Sequence, residues 1–372
     1  MRKALFVFIG ILLVISCSDK GRILNRFESI KKQAQVQFAP DKSIALAEFN
    51  LQRHNGHWVL NGETTVKQAH EFVVRKLDSL LSGAFVDSSI VLPDPALGDS
   101  TFGLISVSTA NIRREPRHAA ELIDQSITGN VLKLLKRKGS WYFIQTDYGY
   151  LGWMTKTSFT RTDSAGVKQW QKGPLLRFTV PVDRIFTQPS SEAVPVCDAV
   201  LNSIVKKIKR QGRWTLVQLP DGRKGYVLTK HLAPVVVKNP KEVKAEQVLD
   251  VAYQLMGIPY LWGGNSAKGC DCSGFVQTVF KANGIQLPRD ARQQALEGEE
   301  IIPVKDFSNV EPGDLLFFGK GKRITHVGLS LGGYRFIHQD SEVRLSSFNE
   351  QDSDYSAYRK HTLKKIKRLL AR

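Results

Sequence analysis

The run "GGNSAKGCDCSGFVQTVF" at residues 263–280 places two cysteines, Cys270 and Cys272, one residue apart beside a glycine-rich stretch. Zinc ligation, dithiol exchange and nucleophilic attack all use cysteines in such settings. His326 and His338 would supply the remaining residue types for zinc. Zinc pairs usually leave two to four residues between cysteines and three to five between histidines, whereas one and eleven intervene here. A redox pair usually has the C-x-x-C spacing. Neither a metal nor another cofactor is therefore expected.

A helix directly after Cys272 favours the nucleophile. Phe275, Val276, Val279 and Phe280 fall on one helical stripe, and Gly284 supplies a stop. The helix then starts near Cys272, with Asp271 or Cys272 itself as cap. A helix N-terminus carries partial positive charge and unpaired N–H groups. A thiol there is expected to have a lowered pKa, and the same N–H groups can meet a developing oxyanion. Asp, Cys and Ser in succession are also poor core material.

Such a thiol needs a base. "ITHVGLSLGGYRFIHQD" reads as two strands joined near Gly332–Gly333, with His326 and His338 in it. A two-residue turn at Gly332–Gly333 puts His326 opposite Gln339 and the histidines on opposite faces. A three-residue loop, Leu331 to Gly333, puts His326 directly opposite His338. Only the second arrangement gives a Cys–His–polar set.

Several elements must position these groups. The segment 241–257 reads as a helix with Val248, Ala252 and Leu255 on one face, closed by Gly257. Upstream, "VLKLLKRKGSWYFIQTDYGYLGWMTKTSF" (131–159) aligns without gaps to "IVKKIKRQGRWTLVQLPDGRKGYVLTKHL" (204–232), with Trp141 matching Trp214. Short alternating strands, a Gly-x-Trp turn and a glycine hairpin in each copy describe a small β-barrel that resembles the bacterial SH3-like domain. Before these, residues 44–82 read as strand, strand, helix, with Thr64 or Thr65 as helix cap, and 92–100 as a proline-rich linker.

The 372 residues carry 53 Lys+Arg against 35 Asp+Glu, a net charge of +18. That suits a polyanionic surrounding. No arginine-rich recognition helix or aromatic–basic motif accompanies it, so nucleic acid is not an expected partner. Arg2 and Lys3 precede the apolar run 4–16, which is short for a membrane span and right for a secretion signal. "VISC" is similar to a bacterial lipobox, with Cys17 as the lipidated residue. A membrane-anchored lipoprotein of the bacterial cell envelope is expected, its mature chain starting at Cys17. Three cysteines then remain, an odd number, so at least one thiol stays free or pairs between chains.

"PYLWGG", "DCSGFV", "LPRDARQQ", "EPGDLLFF", "THVGLSL" and "FIH" occur in this order. Together they resemble the NlpC-type papain-like cysteine peptidases of bacterial cell walls, over about 241–372. "SVSTANIRREPRHAAELIDQ" and "DYGYLGW" resemble the SH3-like domains of that family's dipeptidyl-peptidase VI-like branch. The resemblance implies an α+β chain: a lipoprotein signal and lipidated Cys (1–17), a short ββα segment and linker (18–100), SH3-like barrels at 101–165 and 174–236, and an NlpC-type peptidase domain at 241–372. It implies Cys272 as nucleophile, His326 as base, His338 as orienting residue and Tyr260 near the oxyanion. Asp271, Ser273 and Asp290 would hold the amine end of the substrate, Trp262 would line the groove, and Glu121 and Tyr150 of the first barrel would close it. The implied substrate is a murein peptide with a free N-terminal L-alanine, cut between γ-D-glutamate and the diamino acid. Cys270 departs from the family, which usually has an apolar residue there. The rival readings are a non-catalytic wall-binding lipoprotein and an acyltransferase using the same thiol.

Overall fold

The computed structural model describes residues 3–371, with side chains described from Lys20 onward. The chain divides into two compact units, 1–98 with 149–151, and 99–148 with 152–372.

In the first unit a long helix, α1 (Lys3–Phe38), precedes the strands β1 (Ala47–His54) and β2 (His57–Thr64) and the helix α2 (Lys67–Leu81). The strands form a hairpin pairing Ala47 with Thr64 and His54 with His57. The short strands β3 (Phe85–Asp87) and β4 (Ile90–Val91) add to β2 in parallel. The expected strand–strand–helix order is present. The helix cap differs: Val66 is the N-cap residue and makes no side-chain cap bond, because the Thr64 hydroxyl is turned to Leu46 O and accepts from Val66 N–H instead. A segment of α1 not anticipated as helix also packs here. Phe27 and Ala34 are buried with Phe49, Leu60, Val73 and Leu77, and Ile23, Ile30 and Phe38 flank them. Among the described residues, no helix is long and apolar enough to cross a membrane. The side chain of Cys17 lies outside the described residues, as does the rest of the expected signal segment's side-chain detail.

Seven strands follow, which apart from Leu151 fall in the second unit: β5 (Phe102–Ile105), β6 (Thr109–Arg113), β7 (Leu122–Ile127), β8 (Val131–Lys138), β9 (Trp141–Gln145), β10 (Leu151–Thr155) and β11 (Phe159–Thr162). They pair in the order β11-β5-β8-β9-β10-β6-β7. After the helix α3 (Ser164–Gln171) the set recurs as β12 (Leu175–Phe178), β13 (Val182–Phe186), β14 (Pro195–Val200), β15 (Ile204–Gln211), β16 (Trp214–Gln218), β17 (Lys224–Leu228) and β18 (Leu232–Pro234). Every strand of the second set starts 73 residues after its counterpart. The repeat therefore extends over the whole barrel, including strands whose sequences show no match. Both copies bulge at the same place, between Leu134 and Lys136 and between Lys207 and Lys209, and Trp141 and Trp214 are both buried.

The rest of the unit is an α+β layer. Helix α4 (Ala245–Gln254) precedes a two-stranded ribbon, β19 (Asn265–Ser266) and β20 (Gly269–Cys270), then α5 (Cys272–Ala282) and the short α6 (Ala291–Gln294). A six-stranded sheet comes next, from β21 (Glu299–Ile301), β22 (Pro312–Lys320), β23 (Arg323–Gly332), β24 (Arg335–Gln339), β25 (Val343–Ser347) and β26 (Leu363–Arg368), with the short α7 (Ala357–Thr362) before the last. Its order is β21-β26-β22-β23-β24-β25. Helix α5 is buried almost throughout, and its Phe275, Val276, Val279 and Phe280 pack on Leu315, Phe317, Val327, Leu329 and Ile337 of the sheet. Burial on all sides follows from its composition, which has only Lys281 as a charged residue.

Candidate active site

The thiol of Cys272 occupies the first turn of α5. Asp271 is the N-cap residue, and its Oδ1 accepts from Gly274 N–H at 2.8 Å. Cys272 is buried. Burial pushes its pKa up to about 11 and the neighbouring Asp271 carboxylate adds to this, while the N–H groups of Val327 and Ser273 pull the other way. Burial therefore works against the lowering expected from the helix end. The helix end does favour the thiolate, but desolvation of a buried charge outweighs it.

His326 and His338 are both buried, and His326 Nε2 lies 2.8 Å from His338 Nδ1. His338 Nε2 lies 3.1 Å from Ser346 Oγ. The hairpin register matches neither anticipated loop. Gly332 pairs with Arg335 around a two-residue turn, and a bulge at Leu331 shifts the ladder so that Gly328 faces His338. The bulge restores the parity that a two-residue turn alone would lose, so the two histidines share a face and meet diagonally. Gly328 makes room: a Cβ there would sit 3.1 Å from His338 Cβ. With Nε2 engaged by His338, Nδ1 is the His326 nitrogen available to a thiol. Burial, then the Arg359 charge, lowers His326 well below its usual value and takes His338 to about 3. Burial thus favours the neutral form of the thiol and of both imidazoles.

A buried arginine joins the helix cap to the first barrel. Arg289 Nε donates to Asp124 on β7 at 2.6 Å, and its Nη atoms donate to both Asp271 oxygens (3.0 and 2.7 Å), to Ser273 Oγ (2.9 Å) and to Gly264 O (3.3 Å). All five guanidinium protons are used. Asp124 is fully buried and also accepts from Tyr148 OH and from Asn265 Nδ2. Burial raises the Asp124 pKa against the pull of Arg289. Sequence reasoning missed Asp124, Tyr148 and Arg289. The signal is present in "LPRDA", where an arginine sits between a proline and a helix cap.

The other expected site residues divide. Trp262 and Glu121 come together, with Trp262 Nε1 donating to Glu121 Oε1 at 3.0 Å, while Arg114 holds Glu121 Oε2 at 2.6 Å. Both are exposed, and Arg114 with Trp262 lowers the Glu121 pKa. Gly263, next to Trp262, has φ +71, and a Cβ there would meet Leu122 O at 2.4 Å, so the first barrel presses directly on this loop. Tyr260 bridges to Cys270, and its phenol is raised to about 12 by burial and by Cys272. Ser273 donates to Asp271 at 3.1 Å. Asp271 also accepts from Gly263 N–H at 3.1 Å, so its carboxylate is taken up by the protein itself. Asp290 caps α6 and pairs with Arg292. Tyr150 is buried and falls in the first unit, where its neighbour Leu151 donates to Ser43 O at 2.7 Å. Cys270 is buried in the same core as Phe275, and burial drives its thiol far up. Cys197, Cys270 and Cys272 are all free.

A buried helix with a thiol in its first turn, packed on an antiparallel sheet that carries a His–His pair, defines a papain-like cysteine peptidase. Residues 257–365 match the NlpC/P60 family, and 112–159 match the bacterial dipeptidyl-peptidase Sh3 domain. Dipeptidyl-peptidase 6 of Lysinibacillus sphaericus is 29% identical over 264 residues, 68% of this chain and 93% of that protein. The gamma-D-glutamyl-L-lysine dipeptidyl-peptidase of Bacillus subtilis is 31% identical over 57% of this chain and 73% of its own length. A crystal structure of an NlpC/P60 family protein from Bacillus cereus has the same fold, with a TM-score of 0.61 and 21% identity over 72% of this chain and 99% of that one. The chain belongs to the NlpC/P60 family and is a cysteine peptidase of the cell wall.

Proposed function

We propose that this chain cuts murein peptides between γ-D-glutamate and the diamino acid, that Cys272 is the nucleophile and His326 the base, and that a free N-terminal L-alanine is required. The 2.8 Å contact between His326 Nε2 and His338 Nδ1 carries the catalytic assignment. With His338 accepting at Nδ1 and donating from Nε2 to Ser346, His326 holds its proton on Nε2 and presents a lone pair at Nδ1. His326 Nδ1 takes the thiol proton as Sγ attacks the γ-glutamyl carbonyl carbon. The oxyanion is met by N–H groups at the start of α5 and by the Tyr260 hydroxyl. Collapse breaks the C–N bond, and His326 returns the proton to the leaving amine. Water, deprotonated by His326, then hydrolyses the thioester and releases L-alanyl-γ-D-glutamate.

The specificity reading rests on Glu121, held beside Trp262 at the edge of the first barrel. Its carboxylate suits the ammonium of a free alanine. The relatives named above, a dipeptidyl-peptidase 6 and a gamma-D-glutamyl-L-lysine dipeptidyl-peptidase, support the same bond. Incubating the protein with L-alanyl-γ-D-glutamyl-diaminopimelate and weighing the products tests it: the free peptide yields dipeptide and diamino acid, and the N-acetylated peptide stays intact. Equal cleavage of both would refute the free-amine requirement. The anchor through Cys17 belongs to the same reading and would place the enzyme at the envelope, working on murein fragments for recycling. Labelling cells with tagged palmitate should mark the wild type and leave Cys17→Ala unmarked.

A further inference from the structure

One cation beside the histidine pair has no part in the mechanism above. Arg359 lies on α7, where its backbone N–H donates to Ser356 Oγ at 3.3 Å. Its guanidinium stacks on the buried ring of Phe318, with Cζ 5.6 Å from the centroid, and that ring is 5.6 Å from the His326 ring. Nη2 donates at 2.9 Å to Asp340 Oδ1, two residues after His338. Phe318 is the direct strand partner of His326, and Asp340 follows the end of β24. The arginine therefore reaches across the end of the sheet that carries both histidines. Its charge acts on each of them, and among the described residues it is the one cation acting on His326.

Most of this guanidinium is uncommitted. Among the described residues, Nε and Nη1 have no hydrogen-bond partner, and Asp340 is the one carboxylate in contact. Those two nitrogens are not sealed from solvent, since the side chain is 13% exposed. Phe318 and the exposed ring of Tyr358, 5.3 Å from Cζ, fix its direction. A held guanidinium with open N–H groups is suited to a carboxylate.

The reaction brings a carboxylate to this place. His326 hands its proton to the leaving amine, so that nitrogen must come within hydrogen-bond distance of the imidazole. In the leaving diamino acid the carboxyl carbon is about 2.5 Å from the same nitrogen. The alanine end is assigned to Glu121 and Trp262, so the leaving residue extends the other way, past His326. We propose that Arg359 is a specificity-determining residue that receives the α-carboxylate of the leaving diamino acid, so that the preferred substrate is a stem peptide ending at that residue. A stem extended beyond it carries an uncharged amide there. The inference rests on the cleavage reading given above.

Cleavage kinetics on two peptides test it: L-alanyl-γ-D-glutamyl-diaminopimelate, and the same peptide with the carboxylate next to the scissile nitrogen converted to a carboxamide. Both keep the free alanine amine and the far carboxylate. The wild type should favour the acid about tenfold or more in kcat/KM, as for one charge-assisted contact. Arg359→Gln should bring that ratio close to one, chiefly by slowing the acid. Arg359→Lys keeps the charge but loses the planar fork, and its ratio should fall between. Asp340 is 45% exposed, so neither variant strands a buried charge, and circular dichroism checks that both are folded. A role confined to holding the histidines would slow both peptides alike and preserve the ratio, and that result would overturn the proposal. Equal cleavage of acid and amide by the wild type would overturn it too, while leaving the cleavage assignment standing. Cleavage of neither peptide would overturn both.

Discussion

Burial disfavours charge on both Cys272 and His326, and that sets the expected pH behaviour. The active form needs an unprotonated His326 and a thiol whose proton moves only during attack. His326 titrates well below its usual value and Cys272 at about 11. kcat/KM should therefore stay flat across neutral pH, with its acid limb below about 6 and its alkaline limb above about 9. A preformed thiolate–imidazolium pair would instead give a bell with an acid limb near about 4 and an alkaline limb near about 8 to 9. Stability follows the same shifts. The folded histidines bind protons less readily than the unfolded chain, so their contribution is present above about pH 6.5 and is lost as pH falls toward the His338 value of about 3. Urea midpoints measured at descending pH should show that decline, and it should be smaller in His338→Gln. Cys272→Ser should cut kcat by about a thousandfold or more with its unfolding midpoint unchanged. The nucleophile is legible in the sequence because an apolar stripe comes directly after it. Its protonation state is not, since burial by the facing sheet is invisible in the local run.

In the hairpin β23–β24 the two strands and their histidines are evident from the sequence. The bulge at Leu331 is not, because a bulge is decided by the sheet around it and not by the turn residues. Gly328 depends on that register. Gly328→Val should push His338 away from His326, lowering kcat about a hundredfold with little change in KM. Steady-state kinetics reads this, and an unchanged kcat would show that the pair tolerates the displacement. Helix α1 past Lys20 is a different case: Ile23, Phe27, Ile30, Ala34 and Phe38 do recur at helical spacing. That stripe is short and polar residues interrupt it, so it carries less weight than the apolar run before Cys17. The Arg289 network is hidden for another reason: Asp124 and Arg289 are 165 residues apart, and nothing in the chain says that they meet. Arg289→Ala strands two carboxylates in the interior and should cost about 3–5 kcal/mol in urea unfolding. A loss under about 1 kcal/mol would mean that solvent reaches them.

For the molecule as a whole, the first barrel is built into the surroundings of the candidate site. It supplies Asp124 to the cap of α5 and Glu121 to Trp262. The duplicated barrels are readable from their tryptophans and glycines. The use made of the first is readable only through the family resemblance, since Glu121 by itself is one more exposed acid. That exposure tempers its effect: Arg114 already pairs with it, so Glu121→Ala should lower kcat/KM for the free peptide about tenfold, as for loss of one partly solvated charged hydrogen bond. The variant should leave the poor cleavage of the acetylated peptide unchanged. The central claim, that Cys272 attacks the γ-glutamyl carbonyl, is tested most directly by acid-quenching a reaction with L-alanyl-γ-D-glutamyl-diaminopimelate and mapping the protein by mass spectrometry. An L-alanyl-γ-D-glutamyl thioester is expected on the peptide containing Cys272, and none in Cys272→Ser. An adduct on Cys197 or Cys270, or product formation by Cys272→Ser at the wild-type rate, would contradict it.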